Sequence, residues 1–163
     1  MINEEKRAYI TLLVDALERK RDLLRQILGQ TEKQSELLSS SEMDRDAFEG
    51  LLRQKSEEIK ELNEIDEGFD AIYRRMEQDL VIYKNECKSE ILKMQKLITD
   101  ITDCSASIQV LEKRNSTAFK LYVSAEKSSI REKKVSSQMA SSYYKNMSGR
   151  QGNLESIFID KKK

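Results

Sequence analysis

The chain has 163 residues, no proline, no histidine, no tryptophan and five glycines, with 29 basic side chains balanced by 29 acidic ones. Sandwiches, barrels and α/β sheets draw on Gly and Pro for their many tight turns, so this composition excludes them; 36% charged residues fit long solvated helices instead. Without histidine there is no Ser-His or Cys-His nucleophile pair and no ordinary zinc site.

Cys87 and Cys104 stand 17 residues apart. On one straight helix that is ~25 Å, too far for a disulfide, so both are expected as reduced, buried or half-buried small hydrophobes. The opening run Met1-Ile2-Asn3-Glu4-Glu5-Lys6-Arg7 lacks a signal-peptide hydrophobic segment. Apolar stretches such as Leu12-Leu13-Val14 fall far short of the ~20 residues that span a bilayer. The expectation is a cytoplasmic protein with no membrane insertion.

A first helix is predicted over about 3–39. Asn3 is a good N-cap, and Glu4 and Glu5 sit in the positive first turn. Apolar residues from Tyr9 to Leu28 recur at three- and four-residue steps, thin out at Thr31 and Gln34, and return at Leu37-Leu38. Ser39-Ser40-Ser41 breaks the pattern, because serine competes for backbone hydrogen bonds. Ser41 with Asp44 resembles a capping box, and Asp44 is equally good as the N-cap itself. A second helix is placed at about 44–64, with Phe48, Leu52, Lys55, Ile59 and Leu62 in a coiled-coil rhythm. Lys55 in that seam is expected to snorkel outward.

At Glu64-Ile65-Asp66-Glu67-Gly68 two readings stand. Gly68 and Asp66 favour a tight turn, whereas Leu62, Ile65, Phe69, Ile72 and Met76 keep helical spacing straight through. With the turn adopted, a third helix runs over about 67–127. From Leu80 its heptads are the clearest signal in the chain: Leu80, Cys87, Met94, Ile101, Ile108, Asn115 and Tyr122 on one seam, Leu97, Cys104 and Leu111 among the other. The fold class is therefore all-α, an antiparallel coiled-coil-like bundle of three long helices. Residues 1–127 form the bundle and 128–163 a basic, serine-rich tail, weakly helical or disordered, that orders on a partner. Net charge runs from −7 over 42–79 to +5 over 128–163.

A third helix of ~90 Å outreaches partners of ~55 and ~30 Å. Its apolar stripe from Ile108 onward is then unpaired, the sequence sign of a binding surface. Ile108, Leu111, Asn115, Phe119 and Tyr122 are the candidate binding residues on it, and Ile130, Val135, Met139 and Tyr143 those on the tail. Asn115 has two readings, a buried register-setting polar residue or a solvent-facing position. Carboxylate pairs such as Glu57-Glu58 lie on a polar face without a pocket to tune them, no glycine-rich phosphate loop is present, and no catalytic residue, metal or cofactor is expected. The basic tail near Tyr143-Tyr144 has an aromatic-plus-basic character, but the neutral chain and acidic middle argue against nucleic acid.

The runs Met43-Asp44-Arg45-Asp46-Ala47-Phe48-Glu49-Gly50-Leu51-Leu52, Leu62-Asn63-Glu64-Ile65-Asp66-Glu67-Gly68-Phe69, Ile108-Gln109-Val110-Leu111-Glu112-Lys113-Arg114-Asn115 and Tyr143-Tyr144-Lys145-Asn146-Met147 together resemble the FlgN family of flagellar type III export chaperones. The resemblance is diffuse and covers most of the chain. It implies a cytosolic protein of long antiparallel helices, not an enzyme. Its implied partners are the C-terminal amphipathic helix of hook-filament junction proteins and components of the export apparatus. It implies that substrate is bound by the C-terminal region, here Ile108 to Met147. The chain itself is expected as a monomer or weak homodimer. The alternative from the seams alone is a self-associating coiled-coil scaffold or adaptor.

Overall fold

The computed structural model describes residues 1–126, 139–140 and 142–143. Three helices of nearly equal length account for almost all of these: α1, Glu4–Ser39; α2, Arg45–Ile82; α3, Lys88–Ala125. At 1.5 Å per residue each is ~55 Å long. Asn3 caps α1, its side chain accepting from Lys6 N at 2.8 Å. Asp44 caps α2, accepting from Ala47 N at 3.1 Å. Each cap satisfies a backbone donor that the first helical turn leaves without a partner.

Cross-helix contacts fix the directions. Lys6 reaches Asp79 and Arg19 reaches Glu61, so α1 and α2 are antiparallel. Arg7 meets Glu90 while Ser35 meets Asn115, so α1 and α3 run parallel. The result is an up-down-up bundle of three helices. Its core is a column that includes Leu13, Leu24 and Ile27 from α1, Leu52, Leu62 and Phe69 from α2, and Leu97, Ile101 and Ile108 from α3. Each such side chain contributes ~1.5–3 kcal/mol on burial.

The second and third helices end elsewhere than at the expected 44–64 and 67–127. Helical structure continues through Gly68, which is exposed and has no positive φ. Asp66 does not cap a helix there; it turns inward and takes a buried ion pair from Lys20, 2.6 Å away. The uninterrupted spacing of Leu62, Phe69 and Met76, all buried, decides for the continuous helix. The reversal lies instead at residues 83–87, between Ile82 and Lys88. No residue in it has positive φ. Tyr83 N bonds to Asp79 O and Cys87 N to Tyr83 O, and Cys87 is wholly buried inside the bend. Ile2 fastens the bend from the other side, its backbone N–H donating to Glu86 Oε2 at 3.0 Å.

This placement removes the length mismatch. α1 and α2 are as long as α3, so the stripe from Ile108 is covered: Ile108, Asn115 and Phe119 are buried, and Leu111 and Tyr122 half-buried. The tail expected over 128–163 lies outside the described residues except for Met139, Ala140, Ser142 and Tyr143, which are helical.

Candidate functional site: the groove between α2 and α3

Directly packed helices have axes 8–10 Å apart. The Cα atoms of α1 approach those of both neighbours to within 8 Å, whereas none in α2 comes that close to any in α3. The bundle is therefore asymmetric: α2 and α3 are more widely spaced, and the groove between them is filled by side chains. Long side chains bridge it. The Phe48 ring stacks on that of Phe119, centroids 5.2 Å apart and planes within 5°. One heptad further along each helix, Lys55 of α2 meets Glu112 of α3. Offset stacking of this kind adds ~0.5–1.5 kcal/mol beyond area burial.

Lys55 does not snorkel. It is fully buried, with Nζ donating to Gln34 Oε1 on α1 and to Glu112 Oε1. A carbon stem long enough to reach water cannot do so here, because α1, α3 and Tyr143 surround its end. Glu112 Oε1 also accepts from Tyr143 OH at 2.7 Å. The Thr31 hydroxyl lies 3.2 Å from the same oxygen and 2.7 Å from Ile27 O, and its single proton serves one of them at a time. The Tyr143 ring covers the ammonium, whose nitrogen is 4.3 Å from the ring centroid, within cation–π range. Glu112 Oε2 and Gln34 Nε2 are buried without a hydrogen-bond partner among the described residues.

Asn115 completes the polar layer. Its Nδ2 donates to Thr31 O at 3.1 Å and its Oδ1 accepts from Ser35 Oγ at 2.7 Å. Of its two readings, the buried one holds. Burial lowers the Lys55 pKa to about 8, against the upward pull of Glu112 and Glu58. Burial likewise raises Glu58 above its ordinary range, opposed by the hydrogen bond from Gln30.

Beyond Phe48 the groove opens into a shallow notch lined by Met43, Arg45, Phe48, Glu49, Phe119, Tyr122 and Val123. The notch and the Lys55–Glu112 pair are about one heptad apart, ~10 Å. The candidate residues thus separate. Phe119 and Tyr122 line the notch, Tyr143 sits on the ion pair, and Met139 packs half-buried against the core. Ile108 and Asn115 are interior, and Leu111 is half-buried. Ile130 and Val135 lie outside the described residues. Lys55, Gln34, Thr31 and Glu112 are not among the candidate binding residues that the sequence suggests. Their signal was available: a lysine in the α2 seam, a thinning at Thr31 and Gln34, and a glutamate beside Leu111 all fall at one level once the helices are in register.

Among the described residues no group of His, Cys, Asp or Glu is placed to hold a metal ion, and no helix is long and apolar enough to cross a membrane. Cys87 and Cys104 are free thiols. Comparison with family models, curated proteins and solved structures gives no match for the chain.

Proposed function

We propose that the protein is a cytoplasmic flagellar export chaperone of the FlgN kind, which holds the C-terminal amphipathic helix of a hook-filament junction protein before type III export. The observation that supports this reading is the wide spacing of α2 and α3, together with the shallow notch at one end of their filled seam. A helix laid there replaces solvent against Met43, Tyr122 and Val123, the helix-in-groove mode of recognition. Methionine and aromatic walls adapt to more than one apolar partner. Binding of this kind needs no nucleotide and no catalytic residue. The sequence resemblance to FlgN chaperones supplies the partner class.

Titration of the full chain with the C-terminal helical region of a junction protein tests the proposal. A complex of micromolar Kd or tighter is expected, weakened at least tenfold by M43E with V123E. Both residues are half-buried and pack against the core, so a thermal melt of the variant is taken alongside to show that the bundle is intact. An unchanged Kd in that variant places binding elsewhere.

One feature favours the scaffold alternative. Leu92, Val110 and Leu121 are 55%, 53% and 67% exposed. They lie about five and three helical turns apart in succession, on one outward line of α3. If that line is a self-association seam, the mass in solution rises with concentration and L92E with L121E abolishes the rise.

A further inference from the structure

The chain itself shows which side chain the groove accepts. Tyr143 reaches both walls: its ring lies over the Lys55 ammonium on α2 and its hydroxyl donates to Glu112 on α3. Twelve residues outside the described structure separate Glu126 from Met139, so this contact comes from a segment that returns to the bundle from beyond the end of α3. Ala140, three residues earlier and on the same helical face, is also buried. Lys55 and Glu112 are as buried as they are partly because Tyr143 covers them.

A side chain that fills this place must do two things at once. It must present a π-face to a cation, and an O–H to a carboxylate. Leucine or methionine covers the pair without serving either charge. Phenylalanine serves the lysine and leaves Glu112 short of a donor, and a buried charge that loses a hydrogen bond is costly. Tyrosine does both. Glu112 Oε2, buried with no hydrogen-bond partner among the described residues, is a further acceptor for an incoming donor.

We infer that the Lys55–Glu112 pair is a tyrosine socket in the α2–α3 groove, filled in the free protein by Tyr143 of the chain and vacated for a tyrosine on the apolar face of a partner helix. The inference rests on the groove being the docking site and adds to it a specificity element and a built-in competitor. Because the competitor is tethered, it sets a threshold: a partner's apparent affinity falls in proportion to the fraction of molecules with the socket open.

The test uses the full chain as wild type, Y143A and Y143F. The probe is a fluorescent synthetic peptide with the sequence of residues 134–148, read by anisotropy. The expected result is at least tenfold tighter binding to Y143A than to wild type, with Y143F in between. A probe carrying alanine in place of its own Tyr143 is expected to lose most of its affinity for Y143A. Equal affinity for wild type and Y143A, or a probe indifferent to that tyrosine, overturns the socket. Should Y143A fail to fold, Y143F keeps the ring and decides alone: about threefold tighter binding than wild type is expected, and none overturns the inference. The junction-protein helix separates this claim from the export reading. If it binds wild type and Y143A equally, the export reading stands and the socket falls. If it binds neither while the probe behaves as expected, the socket stands and the export reading falls.

Discussion

Replacing Lys55 by methionine removes both the counter-charge of the buried Glu112 carboxylate and the Nζ hydrogen bonds to Glu112 and Gln34, bonds that a neutral amine at high pH still makes. Breaking a buried pair in this way costs ~3–5 kcal/mol. K55M is therefore expected to lower the urea midpoint sharply. K55M with E112M removes both charges and is expected to recover most of that loss; a double variant as unstable as K55M contradicts the account. The pH dependence has a definite sign. The Lys55 pKa in the folded chain is lowered to about 8 from 10.5. Between those values the unfolded chain binds more protons than the folded one, so stability rises with pH. Below about 8 the cost of the buried ammonium is fully present. Relative to the double variant, wild type is expected to gain stability from pH 7.5 to 10, measured by denaturant midpoints; a relative loss over that range contradicts the burial argument. The seam position of Lys55 was legible in the sequence. Its inward direction was not, because that depends on Glu112, Gln34 and Tyr143 arriving from three other segments.

At the scale of the helix, Gly68 separates two descriptions of the molecule. In a turn, a side chain there is strained. In the observed helix the glycine is exposed, lacks positive φ, and a Cβ meets nothing within 4 Å. G68A is therefore expected to stabilise by about 0.5–1 kcal/mol, seen as a Tm rise of roughly 1–4 °C. A fall in Tm contradicts the continuous α2. The caps at Asn3 and Asp44, the start of α1 and the seam from Met94 to Ile108 were all readable from local pattern. The bend at 83–87 was not. It contains no glycine or proline, and its apolar residues continue the heptads, since Cys87 is buried inside the bend. The contact that ties it down is tertiary: Ile2 and Glu86 meet across 84 residues of sequence at the end of the bundle. The misplaced turn in turn produced an overlong third helix and an apolar stripe with no partner.

At the scale of the molecule, moving that turn changes where the proposed partner would dock. An overlong helix offers a free stripe at its end. Three equal helices offer a groove, and only because α1 draws both neighbours to itself while α2 and α3 stay apart. Phe119 and Tyr122 keep a place in this site, as walls of the notch, whereas Ile108 becomes core. Charge balance across the whole chain gave no hint of the groove, since its determinants are one aromatic stack and one ion pair facing inward. The most direct measurement is residue-resolved amide NMR of the full chain during titration with the C-terminal helix of a junction protein. The largest shifts are predicted on the facing stretches of α2 and α3, around 43–58 and 108–123, with Phe48, Lys55, Glu112 and Phe119 among them. Shifts confined to the outward line of Leu92, Val110 and Leu121, or none at saturating peptide, contradict the groove.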